Sequence, residues 1–201
     1  MGIHQKIVGL FLAASTLVFS QEKLIYFEPS LLRASATIAP TRFYNHETTV
    51  AFINGFMEYV VEPKISVRGE ANFMAPNGQL LFTNSPEKFP RNFASIYAGF
   101  GYHLGKKKWK IDLHAEPGIA LAEMAQDPYV VVPSRFQWSA CPSYMLKAGS
   151  SFYFSKYCHF FAEINFSNGW VRKTTLSSVS LAQYGVSAGL GFHLITQKHD
   201  E

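Results

Sequence analysis

Two cysteines, Cys141 and Cys158, are all that stand among 201 residues. That scarcity excludes the disulfide framework that staples small secreted domains. A single bridge between them is disfavoured by geometry. The two flank a turn near Ser155-Lys156, and an antiparallel hairpin would place them roughly 40 Å apart along its strands, whereas a bridge needs Cα atoms within about 7 Å. They read as two free thiols, one on each face. Charge is also short: Asp, Glu, Lys and Arg make up 16% of the chain, where about a quarter is usual for a soluble domain. Something other than a charged exterior must keep the chain from aggregating. Beyond the N-terminus there is no uninterrupted apolar run of ~18 residues, so a membrane-spanning helix is excluded. The net charge of +4 comes without a block of Lys or Arg, which argues against a nucleic-acid partner. No metal-ligand spacing, phosphate-cradling glycine loop or nucleic-acid motif is present, and no cofactor or metal is expected.

What the chain does have is apolar and aromatic residues in alternation. The apolar fraction is 48% and aromatics reach 15%, with Phe and Tyr dominant. The first residues read as an export signal. Lys6 supplies the positive end, Ile7 to Phe19 the apolar core, and Val18-Phe19-Ser20 a cleavage site before Gln21. The expected organisation is a cleaved segment over 1–20 and one domain over 21–201. Losing Lys6 takes the formal charge from +4 to +3.

The clearest strand is Trp109–Pro117, with Lys110, Asp112, His114 and Glu116 on one face and Trp109, Ile111, Leu113, Ala115 and Pro117 on the other. Alternation predicts seven more strands. The first runs over about Leu24–Ala34, with Glu28 and Ser30 on its polar face and a loop over Ser35–Glu47 after it. The second covers Thr48–Val61, with Asn54 and Glu58 polar. The third starts at Lys64 and alternates Ser66, Arg68, Glu70 and Asn72 with Ile65, Val67, Gly69 and Ala71, before a loop over Ala75–Asn92. The fourth covers Phe93–Leu104, with Gly99, Gly101 and His103 on its polar face. The opening strand continues to Glu123. The last three cover Phe136–Phe154, Cys158–Val171 and Val179–Leu194. Connections then alternate long and short, the pattern of transmembrane barrels with short periplasmic turns and longer outer loops and an even strand count. Trp109, Trp138 and Trp170 fall on apolar faces near strand ends, as interfacial girdles require. Alternation alone leaves open which face meets water, but the sorted loops and tryptophans favour lipid on the apolar side. The expected fold is an all-β, eight-stranded antiparallel up-and-down transmembrane barrel.

This organisation, with the terminal stretch Tyr184-Gly-Val-Ser-Ala-Gly-Leu-Gly-Phe192, resembles the small eight-stranded outer-membrane barrels, the family that includes the transmembrane part of outer-membrane protein A. The last strand looks like the signal by which the barrel assembly machinery recognises its clients, although nine residues follow Phe192. The resemblance implies a bacterial outer-membrane location, with outer-membrane lipid and lipopolysaccharide as surroundings. It names no protein partner.

Three constellations can carry chemistry. Glu28, Glu58, Arg68, Glu70, Lys110, Asp112, His114, Glu116, Lys147 and Glu163 form the expected lumen set. They read as a charged network filling an interior that eight strands leave just wide enough for side chains. The competing reading is a porin-like path, small and cation-leaning because acids outnumber bases. Asn165-Phe166-Ser167-Asn168 is similar to the His-X-Ser-Asn stretch of lipid A deacylases. It has Asn165 where their catalytic histidine should be, and its Ser167 points into the lumen. The third is a basic rim of Arg42, Lys88, Arg91, Arg135, Arg172 and Lys173 in or beside the long loops, suited to lipopolysaccharide phosphates or simply to water. His114 and His193 read as hydrogen-bonded lumen histidines. The expected role is structural or surface-interacting and non-enzymatic. The alternatives are a lipid A-modifying hydrolase on the same barrel and a soluble lipocalin-like binder.

Overall fold

The computed structural model describes residues 28–46, 48–81, 90–105, 108–125, 136–172 and 178–196. The expected signal segment, the start of the first predicted strand, and Lys88, Arg135 and Lys173 lie outside the described residues.

Among the described residues nine strands follow in order: β1 (Leu31–Phe43), β2 (Thr48–Glu62), β3 (Ile65–Leu81), β4 (Asn92–Leu104), β5 (Trp109–Ala125), β6 (Phe136–Tyr153), β7 (Cys158–Arg172), the three-residue β8 (Ser178–Ser180) and β9 (Gln183–Ile195). With β8 set aside, each strand pairs antiparallel with its chain neighbours. The pairing of β1 with β9 closes an eight-stranded barrel. Closure removes the exposed sheet edge that would otherwise template aggregation.

Alternation decides what lies inside. On β5, the even-numbered residues from Lys110 to Glu116 are buried, while Trp109, Ile111, Leu113 and Ile119 are exposed. The same period runs round the barrel and leaves an outer belt that includes Ile38, Ile53, Val67, Ile96, Phe100, Leu146, Ile164, Val186 and Phe192. Trp109 lies at the end of the short turns, and Trp138 and Trp170 lie at the other end, all more than half exposed. The two cysteines are free, Cys141 buried and Cys158 partly exposed.

The interior is layered. At the loop end Phe43, Phe52 and Phe93 pack edge to face or tilted, with centroids 5.5–6.2 Å apart. Val50, Met124, Val171 and Leu181 join them in an apolar plug. Leu181 is held there by the short β8, which hydrogen-bonds back onto β7. Directly under the plug, the space bounded by Ala39, Phe52, Met145, Ser167 and Gln183 amounts to about 10 Å³, no more than one water requires. At the turn end Leu31, Val60 and Tyr153 form a second apolar cluster. Most of the buried charged residues lie between the two.

Four expectations about the elements are corrected. The first strand is β1, not Leu24–Ala34. Its composition of Ser, Ala, Thr and Pro reads as loop, yet Arg33, Thr41 and Phe43 alternate inward with Ile38 and Pro40 outward. The long loop expected over Ser35–Glu47 is therefore mostly strand, followed by a 3-10 turn at Tyr44–His46. β3 runs on through Ala75 to Leu81, so its loop is shorter than expected. The predicted last strand is broken at Leu181–Ala182 into β8 and β9.

The β1–β9 seam differs from the others. Its ladder runs from Leu31↔Ile195 to Ala34↔Phe192 and resumes at Thr41↔Gly185. Between these segments Thr37 Oγ1 and Ser35 Oγ donate to the carbonyls of Ala188 and Leu190 at 3.0 and 3.3 Å. Proline at position 40 has no N–H to give, which suits a strand that borders an interrupted ladder.

Gly99 sits where a side chain has no room. A Cβ there would lie 2.6 Å from Glu116 Cα and closer still to the Ala115 carbonyl oxygen. Gly69 faces open space. Gly99→Ala should therefore cost the folded barrel about 1–3 kcal/mol, and Gly69→Ala should stay within roughly 0.5 kcal/mol of the parent. Urea titration of the folded band on cold gels measures both.

Candidate functional site

The chemistry of this chain is concentrated in the middle of the lumen, where inward positions of all eight barrel strands converge in two linked groups. The first centres on Arg68 of β3. Its guanidinium donates twice to Glu163, Nη1 to Oε1 at 2.7 Å and Nη2 to Oε2 at 3.0 Å. It also donates to Glu70 Oε2 at 2.9 Å and lies 3.5 Å from Glu116 Oε1. The Phe56 ring covers its face at 3.8 Å, an attraction that strengthens when the cation is removed from water. Lys147 bridges Glu70 and Glu163, and Asn54 donates to Glu70 Oε1 at 2.5 Å.

The second group lies toward the turn end. Arg33 stands 3.5 Å from both Glu58 and Asp112 and donates to Ser151 Oγ at 2.9 Å. Ser151 in turn donates to Asp112. The His103 ring is held between two carboxylates, Nδ1 2.7 Å from Asp112 Oδ1 and Nε2 2.9 Å from Glu58 Oε1. His114 Nε2 approaches the same Glu58 oxygen at 3.2 Å. Ser66 Oγ donates to it at 2.5 Å and sits 2.8 Å from His103 Nε2. Below them His159 and His193 meet through their Nδ1 atoms at 3.2 Å, stacked or edge-on against Tyr153.

Ser66, His103 and Asp112 are thus in hydrogen-bond sequence, the order used by serine hydrolases. Here all three are at most 1% exposed and lie between two apolar plugs. The Ser66 hydroxyl is already given to Glu58. The arrangement holds the fold together and presents no nucleophile to a substrate.

Most of the expected lumen set is brought together. Glu58, Arg68, Glu70, Asp112, His114, Glu116, Lys147 and Glu163 all face inward and are at least 96% buried. Glu28 is a correction: it is exposed, three residues ahead of β1. Lys110 is inward but sits at the turn end, its Nζ donating to the Gly105 carbonyl at 3.1 Å. Arg33 falls within the expected first strand but on its outer face, because the phase set by Glu28 and Ser30 turns even-numbered residues inward where β1 turns odd-numbered ones. His103 is expected only as a polar-face residue. Exchanging Glu28 for Arg33 removes most of the expected excess of acids. Ser167 is 2% exposed and accepts from Gln183 Nε2 at 2.8 Å inside the barrel. It therefore does not face lipid as a deacylase nucleophile must. Of the basic rim, Arg42 and Arg91 are exposed at the loop end, and Arg172 closes β7.

No protein-family model matches the chain, and no curated protein matches it. Among solved structures, Neisserial surface protein A aligns with a TM-score of 0.53 at 14% identity, covering 82% of this chain and 96% of that one. The N-terminal β-barrel domain of Pseudomonas aeruginosa OprF aligns at 0.48 and 11% identity, covering 83% and 98%. Ail, the attachment invasion locus protein of Yersinia pestis, aligns at 0.47 and 11%, covering 83% and 99%. At such identities the likeness is one of fold, and Neisserial surface protein A carries it. The chain has the fold of the small eight-stranded outer-membrane barrels.

Proposed function

We propose that the chain is an integral protein of a bacterial outer membrane, exported by the segment 1–20, with a structural or surface-interaction role and neither pore nor enzyme activity. The observation that carries this reading is the combination of an apolar belt facing out with an ionic network facing in. A soluble barrel would expose its charges, whereas lipid reverses the preference. Two apolar plugs above and below the network support a closed lumen over a porin-like path. The exposed Arg42 and Arg91 at the loop end suit contact with lipopolysaccharide phosphates. The outward Tyr184, Leu190 and Phe192 of β9 suit recognition by the barrel assembly machinery. Exposed loops are then the surface left for partners.

The test is fractionation of expressing cells, followed by gels of heated and unheated samples and by planar-bilayer recording. The expected result is a membrane-bound protein that needs detergent for release, migrates differently when unheated, and gives no stable conductance. Release without detergent would establish a soluble binder instead. A steady open channel would return the lumen to the porin-like reading.

A further inference from the structure

We propose that Glu58, His103 and His114 form a buried binding site for one divalent transition-metal ion, zinc in type. Their donor atoms come from β2, β4 and β5 and all lie within 4.8 Å of one another. Glu58 Oε1 is 2.9 Å from His103 Nε2 and 3.2 Å from His114 Nε2. In a tetrahedral site with metal–ligand bonds of about 2.0–2.2 Å, neighbouring donors stand roughly 3.4 Å apart, so small side-chain rotations admit an ion. Two imidazoles and a carboxylate are a donor set that suits zinc and its neighbours in the first transition row. Ser66 Oγ, beside both Glu58 and His103, stands near where a fourth donor belongs.

The contacts of His103 also argue for a cation. Both nitrogens of His103 face carboxylate oxygens, at 2.7 and 2.9 Å. A neutral imidazole has one N–H and satisfies only one of those contacts. The other is filled by a proton, on the ring or on the carboxyl, or by an ion held jointly by His103 and Glu58. Asp112, fixed by Ser151 and Arg33, then serves as the outer carboxylate that orients a metal-binding histidine. The charge balance points the same way. Between the plugs, Glu58, Glu70, Asp112, Glu116 and Glu163 face Arg33, Arg68 and Lys147. With Lys110 set aside at the turn end, five ionised carboxylates against three fixed cations leave two negative charges, which one divalent ion neutralises. Because the plugs close both ends, the ion enters as the barrel forms.

Full-length protein is refolded into detergent with Co²⁺, with Zn²⁺, or with chelator, then desalted and assayed for bound metal. The expected result is about one ion per folded chain, visible ligand-field absorption from the Co²⁺ form, and a higher urea midpoint than the chelator-refolded protein. Proton NMR of the Co²⁺ form should show two strongly shifted histidine ring N–H signals, which counts the ligands without any substitution. Glu58→Gln and His114→Ala should each lower retention at least tenfold, and His159→Ala, outside the set, should keep it. The proposal is overturned if folded wild-type protein retains less than about one ion per ten chains with unshifted ring protons, because a proton then fills the second contact of His103. Retention unchanged in both Glu58→Gln and His114→Ala also overturns it, since the ion would lie elsewhere. If those variants fail to fold, the shifted signals in wild-type protein decide.

Discussion

Arg68→Met should destabilise the barrel by roughly 3–5 kcal/mol, the scale for stripping one partner from a buried ion pair. The reason is the number of carboxylates that depend on it. Glu163 loses both of its short bonds, Glu70 loses one, and Glu116 loses its ion-pair partner, leaving Lys147 as the cation among three acids. Fully buried on every side, these groups have no bulk water to turn to, and unpaired charge in that position is expensive. Arg68→Lys separates charge from geometry. An ammonium keeps the charge but loses the two-pronged contact with Glu163 and the stack on Phe56, so an intermediate loss of about 1–3 kcal/mol is expected. Adding Glu163→Gln to Arg68→Met should recover part of the deficit, because it removes one of the stranded charges. Equilibrium urea titrations of refolded protein in vesicles, read by tryptophan fluorescence, measure all three. If Arg68→Met is close to neutral, the lumen is wet and the carboxylates are solvated.

How far such a network can be read from sequence depends on the strand that carries each member. β5 declares itself because Lys110, Asp112, His114 and Glu116 alternate with apolar residues without a gap, and its limits and inward face were both legible. β1 was not, because its inward residues are Arg33, Ser35, Thr37, Ala39 and Thr41, a composition shared with loops. Period two is present there, but the amplitude is low, because small residues hold most of the inward positions. Glu28 enters the expected set for the same reason, since even-numbered polar residues ahead of β1 set the wrong phase. His103 shows a different limit. Its inward face could be read, but its place between Glu58 and Asp112 depends on the register β2–β3–β4–β5, which no local pattern encodes. For the same reason the grouping of Glu58, His103 and His114 has no spacing signature, since each comes from its own strand. β8 and the Leu181 plug depend on a turn back onto β7 that hydrophobic alternation passes over.

The second large effect tests which side of the wall meets lipid. Leu113 is 42% exposed on β5, four residues beyond Trp109, which is roughly 13 Å along a strand and so near the middle of an apolar band about 25 Å tall once tilt is allowed for. Leu113→Arg should cost roughly 2–4 kcal/mol in vesicles, because a guanidinium at that depth must be buried in hydrocarbon or reach a distant interface. Val61 also faces outward, 49% exposed, but stands next to the last residue of β2 at the turn end. Val61→Arg should cost only about 0–1 kcal/mol, since its side chain reaches the interface. The gradient between the two positions carries the argument. On a soluble barrel both sites would be solvent-exposed, and both substitutions would fall within about 0.5 kcal/mol of the parent. A general intolerance of arginine would instead make them equally damaging. Only a lipid-facing wall makes the cost rise with depth, and the same urea titration in vesicles separates the three outcomes.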